Sequence, residues 1–364
     1  MESSFTPIQR MIDFEEFKER YQKVPVEEYP NRVVETMPEP MVSVKVSTYQ
    51  HVDFIEDCLE GILMQETDFP VEILIGEDES DDGTREICKE YAEQYPEQIR
   101  LFLHRRENNI AIHGRPTPKF QATYTRFMCR GKYVAMCEGD DYWRDPKKLQ
   151  KQVEVLEANP EHVLSHHSAQ IVSVSEGCAR GEVPKSEVRR GMSGEELMRN
   201  PFLSTVTVMF KNVLKGYPEE LIDVMNGDRF LFSILGQYGG AIYQGGIKSA
   251  VYRRHESGMW TSLTWLKNKK ARVETSKKLY KYYEKVEKKE ASNHHKKRCY
   301  NFKEDLCLAY FGSGKHRESF REFISVVFKY TSNLKLKKTG RFTKKYAVFV
   351  FGGVEKAIRR SILS

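Results

Sequence analysis

Tyr133-Val134-Ala135-Met136-Cys137-Glu138-Gly139-Asp140-Asp141-Tyr142-Trp143 runs from an apolar segment straight into three carboxylates within four residues. A short apolar run of this kind reads as a buried strand. Carboxylates set this close repel one another unless a cation or a hydrogen-bond network holds them. At the end of a central strand in an α/β sheet, such a cluster falls where ligands bind. The plainer reading is a solvated turn that caps the helix starting near Pro146. The rest of the chain weakens it.

Upstream, Val42-Ser43-Val44-Lys45-Val46-Ser47 reads as the first strand of the domain, ending at Thr48-Tyr49-Gln50. Phe54, Ile55, Leu59, Ile62 and Leu63 fall at helical spacing over about 53–65. A second strand, Val71 to Gly76, opens into Glu77-Asp78-Glu79-Ser80-Asp81-Asp82-Gly83-Thr84 and a helix over about 84–95. Ile99 to Leu103 is a third strand. This β-α-β-α-β order predicts a mostly parallel, Rossmann-like sheet flanked by helices, an α/β fold. The stretch from Arg105 to Pro118 reads as a long loop, and a helix over about 119–130 leads into the acidic strand. Asp145-Pro146 starts the next helix, with Leu149, Val153 and Leu156 as its apolar stripe.

Further on, 162–172 reads as one strand, 175–190 as a polar insertion and 204–210 as another strand. Gly227-Asp228-Arg229-Phe230-Leu231-Phe232 begins a short helix, and 241–254 is extended with a break at Gly245-Gly246. Before the first sheet strand lie a helix over about 7–23 and a connector whose Pro25, Pro30, Pro38 and Pro40 oppose any regular element. Beyond Trp265 the pattern is helical, with 315–328 as the second arm of an αα-hairpin turning at Gly312-Ser313-Gly314.

The expected division is a lead-in at 1–40, an α/β domain at 41–265 with halves 41–160 and 161–265, and a basic helical region at 266–364. From Lys267 to Ser364 there are 27 Lys/Arg against 9 Asp/Glu, a net +18, so the first 266 residues carry −12 of the overall +6. An acidic body with a basic tail implies two modules with different jobs. Solvated helical faces are the default for the basic part, and peripheral contact with an anionic membrane is next. Nucleic acid is not an expected partner, since no recognition motif is present. No apolar run approaches the roughly 20 residues that span a bilayer. Met1 to Arg10 lacks the pattern of a secretory signal. Seven scattered cysteines without a C-x-x-C pair fit reduced thiols, and cytoplasmic localisation is the expectation.

With these pieces in order, the sequence resembles the family 2 glycosyltransferases of the GT-A fold. Three motifs carry the likeness: the strand ending Ser47-Thr48-Tyr49, the loop Glu77 to Thr84, and Glu138-Gly139-Asp140-Asp141-Tyr142-Trp143. The loop is similar to the family's Asp-Asp-Gly-Ser-x-Asp-Gly-Thr, and the last motif to its metal-binding Asp-x-Asp-Asp. The likeness is clear over about 41–160, traceable to 260, and absent from 1–40 and from the basic tail.

The resemblance implies that Ser47, Tyr49 and Asp78 hold a nucleoside, Tyr49 packing on the base and Asp78 accepting from a ring NH. Asp82 and Thr84 are helix-capping residues. Glu79 departs from the family, which often has Gly there. Asp140 and Asp141 are the implied metal and ribose ligands, either one making the direct metal contact, with Glu138 as an outer participant. Mn2+ or Mg2+ is the implied cofactor, since a hard cation neutralises a departing diphosphate. His255 resembles a later family position that faces the diphosphate or the metal. Asp228 matches the family's catalytic carboxylate; an ordinary helix N-cap is the alternative. Solvated loop charges are the first reading of Arg115 and Lys119 and phosphate contact from the long loop the second, while His166-His167 and His294-His295 read as structural.

The implied activity is inverting transfer of a sugar from a nucleotide sugar, a UDP-sugar first, to a hydroxyl of a saccharide or lipid-linked acceptor in surface polysaccharide synthesis. A non-catalytic nucleotide-sugar or glycan-binding module is the rival of another class. A sugar nucleotidyltransferase ranks lower, because no Gly-rich basic loop follows the first strand.

Overall fold

In the computed structural model, which describes residues 10–332 except 113, 186–188, 200–201, 257 and 259–263, together with 341–344 and 346, the chain divides into two units, Met1–His255 and Glu256–Ser364. The first begins with α1 (Phe14–Tyr21), a two-residue strand β1 (Glu27–Glu28) and a short helix α2 (Val33–Thr36). Asp13 caps α1 by accepting from the Glu16 N–H, 2.9 Å away; the expected earlier start at Pro7 lies outside the described residues. β1 and α2 fall in the connector expected to hold no regular element. Glu27 and Glu28 pair antiparallel with Leu103 and Phe102, so a sheet edge supplies the hydrogen bonds that local propensity does not.

Next come β2 (Val42–Thr48), α3 (Ile55–Leu63), β3 (Val71–Glu77), α4 (Thr84–Gln94) and β4 (Ile99–Leu103), the three strands parallel as predicted. β5 (Ile110–Ile112) and β6 (Arg115–Thr117) form a small antiparallel hairpin inside the stretch read as loop. α5 (Lys119–Phe127) leads to β7 (Tyr133–Glu138), which lies parallel to β2, and α6 (Lys148–Ala158) follows.

The stretch read as one strand over 162–172 is two, β8 (His162–His166) and β9 (Ala169–Ser173), in different sheets. An apolar run shows that a segment is buried, not that it stays in one sheet. β10 (Cys178–Val183) lies within the polar insertion, antiparallel to β9 and almost wholly exposed, which hid it from an apolar pattern. α7 (Gly194–Met198), β11 (Met209–Lys211), α8 (Glu219–Ile222), α9 (Gly227–Leu235), β12 (Gly240–Tyr243) and β13 (Ala250–Arg254) complete the unit. A 3-10 turn at Thr205–Thr207 interrupts the strand expected over 204–210, so that β11 starts only at Met209.

The main sheet has the order β1-β4-β3-β2-β7-β11-β8-β12, and a smaller one the order β10-β9-β13. Mixed α/β architecture with a mostly parallel sheet flanked by helices is therefore the fold, as the resemblance implied. Along β2, Val42, Val44 and Val46 enter an apolar core with Ile73, Ile75, Leu101, Ala135 and Cys137, packed on Ile55, Leu59 and Ile62 of α3 and Leu149, Val153 and Leu156 of α6. The alternate residues Ser43, Lys45 and Ser47 share the other face with Glu72, Gly76 and Glu138. α5 covers that face so closely that Gln121 Nε2 donates to the Gly76 carbonyl at 2.9 Å, and a Cβ at Gly76 would sit 1.8 Å from the same nitrogen.

The second unit contains α10 (Trp265–Lys285), α11 (Lys289–Gly312) and α12 (His316–Ser332), the last two turning at 312–315. Among the described residues no helix is long and apolar enough to cross a membrane. The basic and aromatic stretch 341–363 lies outside the described residues except at 341–344 and 346.

Candidate functional site

The site is assembled on the turns that leave the C-terminal ends of β2, β3 and β7. The acidic loop after β3 is first of all a scaffold for the β2–α3 turn. Gln50 N–H donates to Ser80 Oγ at 3.0 Å, His51 N–H to Thr84 Oγ1 at 2.8 Å, and Val52 N–H to Asp82 Oδ2 at 3.1 Å. Asp82 Oδ1 also accepts from the Thr84 N–H at 3.0 Å, at the start of α4. Glu79 takes a φ of 63°, left-handed backbone that favours glycine. Its carboxylate accepts from Arg105 and from the Arg106 N–H at 2.9 and 2.8 Å, partners a glycine could not hold.

Asp78 is buried beneath that turn. Its Oδ2 accepts from Arg106 and from Asn109 Nδ2, both at 3.0 Å, while Oδ1 has no partner. Burial pushes its carboxyl up to about 6, more than those two donors pull it down. The Arg106 guanidinium lies 3.9 Å over the Tyr49 ring, so Tyr49 and Asp78 share one cation. Ser47 Oγ accepts from the buried Lys45 ammonium, which also stands 3.8 Å from Glu138. Burial draws Lys45 down and raises Glu138.

At the end of β7 the two aspartates part company. Asp141 turns inward, where Oδ1 accepts from the Arg253 N–H at 2.8 Å; burial and the neighbouring Asp140 push its carboxyl well up. Asp140 Oδ2 lies 3.0 Å from His255 Nε2. Burial would raise Asp140, but the His255 contact and the charge of His51 outweigh it and hold the carboxyl below its usual range. His255 arrives through β13: Tyr142 and Val251 exchange backbone hydrogen bonds of 3.2 and 2.8 Å, which carries the end of β13 to the turn.

His51 completes this group. One ligand atom each from His51, Asp140 and His255 fall within 4.8 Å of one another. Asp141 is not among the three. A Cβ at Gly139 would stand 2.7 Å from Thr48 Oγ1 and 2.9 Å from His51 Nδ1, so the central residue of Glu138-Gly139-Asp140 must be glycine for the ring to come close. Sequence reasoning passed over His51; its place directly after the Tyr49-Gln50 turn was the available signal. The paired histidines His166-His167 and His294-His295 do not join the cluster.

Asp228 occupies the first turn of α9, partly exposed. Its charge is felt by Glu138 and by Tyr252 of β13, which places it toward the same group of strand ends. Lys119 differs from its reading as a solvated loop charge. It begins α5, and its amine lies against the Cα of Gly227, where an added Cβ would be 2.0 Å away. Burial draws that amine down to about 7, against the opposing pull of Asp228. Arg115 is exposed.

Residues 43–113 match the family model described as glycosyl transferase family 2, a stretch that holds the Ser47-Thr48-Tyr49 strand end and the Glu77 to Thr84 loop but not the Glu138 to Trp143 motif. An uncharacterized protein of Mycobacterium tuberculosis is 35% identical over 221 residues, covering 61% of this chain and 61% of that relative's length. The putative teichuronic acid biosynthesis glycosyltransferase TuaG of Bacillus subtilis is 35% identical over 117 residues, 32% of this chain and 42% of TuaG. Among solved structures, the mannosyltransferase PcManGT from Pyrobaculum calidifontis, in complex with GDP-Man and Mn2+, is similar at 18% identity and a TM-score of 0.48, over 93% of this chain and 92% of its own. S. aureus TarS 1-349 in complex with UDP-GlcNAc is similar at 14% identity and a TM-score of 0.49, over 85% and 92%.

Proposed function

We propose that this chain is a metal-dependent, inverting glycosyltransferase that moves a sugar from a nucleotide sugar to a hydroxyl of a saccharide or lipid-linked acceptor. The observation that carries the reading is the row of groups on the neighbouring strands β3, β2 and β7. A buried carboxylate with one oxygen unpartnered stands at Asp78, an aromatic ring at Tyr49, and a His/Asp/His cluster around Asp140. That row offers, in order, an acceptor for a base N–H, a face for the base, and ligands for a cation beside a diphosphate.

In this reading Asp78 Oδ1 takes the base N–H, Tyr49 packs on the base, and Ser47 and Asp140 lie along the ribose and diphosphate. Arg106, now on the Tyr49 ring, moves aside or lies over the base. Asp140 and His255 suit a divalent cation, with Asp141 bracing the turn through the Arg253 N–H. Bound there, Mn2+ or Mg2+ would neutralise charge growing on the leaving diphosphate. Asp228 takes the proton from the acceptor hydroxyl, whose oxygen attacks the anomeric carbon from the face opposite the diphosphate. The stereochemistry inverts through an oxocarbenium-like transition state, as in related glycoside chemistry.

A UDP-sugar donor and a role in surface polysaccharide synthesis belong to the same proposal, the latter supported by the name of the relative TuaG. So do a cytoplasmic location and contact of the basic unit with anionic membrane. Incubation with Mn2+ and a panel of nucleotide sugars, with and without saccharide acceptors, tests the reaction. Release of free nucleotide with a new glycosidic bond is the expected result. Binding of a nucleotide sugar with no turnover on any acceptor would instead mark a recognition module.

A further inference from the structure

On α12 three large apolar side chains stand in water along one line. Phe320, Ile324 and Phe328 are 59, 48 and 73% exposed, and their i, i+4 spacing sets them one above the other on the helix surface. The other exposed large apolar residues among those described, such as Val34, Met64, Tyr238 and Trp265, come one to an element. Single ones need no explanation, whereas a contiguous row marks a contact surface. We infer that this face of α12 lies in the plane of an anionic phospholipid surface, Phe320, Ile324 and Phe328 entering the acyl boundary while Arg317 and Arg321 bind headgroup phosphates. The inference rests on the contact of the basic unit with anionic membrane proposed above, and adds the helix, its face and the mode of insertion.

The inward side of α12 is settled by its contacts. Ser319 and Val326 are fully buried. The Ser319 hydroxyl donates to the Cys307 carbonyl of α11 at 2.8 Å, and the Phe323 ring packs on Phe342 and Tyr346 with centroids 5.6 and 4.3 Å apart. Glu322 turns the same way, where Lys303 of α11 meets it at 3.4 Å. Phe342 and Tyr346, from the chain beyond α12, therefore pack on this side. At about 3.6 residues per turn, Phe320, Ile324, Phe328, Arg317 and Arg321 share an arc of about 100° on the other side, and Glu318 falls outside it.

The composition of that arc points to the partner. Arg317 and Arg321 are exposed, and among the described residues neither is paired with a carboxylate. Residues 267–364 hold 27 Lys/Arg against 9 Asp/Glu, a net +18, which draws the unit to negative charge. A hydrophilic polyanion would engage the arginines and leave the apolar row in water. A lipid surface takes both, since arginine stems lie along the acyl chains while their guanidiniums reach the phosphates. α12 is not long and apolar enough to cross a membrane. A helix with aromatic and basic residues on one side lies flat in the interface instead.

The test uses the full chain and vesicles of phosphatidylcholine alone or mixed equally with phosphatidylglycerol. Co-sedimentation should show binding to the mixed vesicles and little to the neutral ones. Phe320→Ser/Ile324→Ser should weaken that binding about tenfold or more, the worth of burying one large apolar side chain. Arg317→Gln/Arg321→Gln should weaken it too and flatten its salt dependence; thermal melting verifies that both variants fold. In Phe320→Trp the added indole should emit as water-exposed in the free protein, and vesicles of phosphatidylglycerol brominated in the acyl chains should quench it. Equal binding to neutral and mixed vesicles, or an added indole that brominated lipid leaves unquenched, would overturn the inference. So would an indole already shielded in the free protein, which would mark a row covered by a second copy or by the chain itself. Native-strength binding of mixed vesicles by folded Phe320→Ser/Ile324→Ser would sink the inserted row and leave a contact made by charge alone. No binding of either vesicle by the native chain would sink the membrane contact itself and the inference with it. Sugar transfer is measured separately and stands or falls apart from both.

Discussion

The two faces of the parallel sheet differ more than any other pair of regions in the molecule. One face is almost wholly aliphatic, Val42, Val44, Val46, Ile73, Ile75 and Leu101 meeting α3, α4 and α6. The other, under α5, buries charge. Glu72 accepts from the Arg130 guanidinium at 2.7 and 3.0 Å and from the Ser43 hydroxyl at 2.6 Å, and Arg100 pairs with Glu28 at 2.8 Å. Farther along, Lys45 bonds Ser47 and faces Glu138. Strand alternation makes this possible, since neighbouring residues point to opposite faces. The aliphatic face holds the strands in place; the charged face carries polarity from the foot of the sheet to its site end, where Glu138, Lys119 and Asp228 influence one another.

The largest expected effect lies at the site end. Asp228→Asn should cut sugar transfer about 10²–10⁴-fold, the usual worth of a general base, while nucleotide-sugar binding changes little. Single-turnover assays beside calorimetry measure the two separately. Loss of binding in step with turnover would recast Asp228 as a structural cap.

At the foot of the sheet, the faces can be compared by stability. Glu72→Ala should cost about 3–5 kcal/mol, because it leaves the buried Arg100 and the Arg130 guanidinium without their shared carboxylate. Ile75→Ala on the opposite face should cost about 2–5 kcal/mol through lost burial and a cavity. Denaturant melts of both variants at two salt concentrations test the distinction. The Glu72 effect should change with salt and the Ile75 effect should not.

Asp78 offers a pH test. Its folded pKa of about 6 lies above the unfolded value near 3.8. The stability it contributes is therefore complete below about pH 4 and is lost as the pH rises through about 6. Asp78→Asn should melt above the native protein at pH 8, the gap closing by pH 4. Nucleotide binding should run the other way. If ionised Asp78 accepts a base N–H, affinity for UDP falls about tenfold per unit as pH drops below 6, and the variant loses that slope. A flat native profile would remove Asp78 from base recognition.

The smallest expected effect is Lys45→Met. Replacing a buried ammonium by an apolar chain of similar length should shift stability by less than about 1.5 kcal/mol: the Glu138 side chain left behind is 34% exposed and keeps water, unlike the partners of Glu72, and the lost contacts are offset by relief of desolvation. A greater loss, read from the same melts, would show that the charged face stabilises the sheet and does not merely polarise its site end.

What the chain determined by itself was local. Valine-rich strands, the helices between them, the acidic loop after β3 and the carboxylates after β7 were legible because period, turn residues and charge clustering act over a few neighbours. The charged face was present in the Ser43/Lys45/Ser47 alternation, but its meaning depended on α5 arriving to bury it. Tertiary structure alone decided the rest. Asp140 and Asp141 are adjacent in sequence, yet a backbone turn and the β13 bridge send one to His255 and the other to the Arg253 N–H. His51 joined the cluster because the loop after β3 grips its backbone and Gly139 leaves room for its ring. The division of 162–172 between two sheets was likewise out of local reach. Such outcomes are set by contacts between segments up to two hundred residues apart, and nothing in a single stretch of sequence encodes which partner will come to lie beside it.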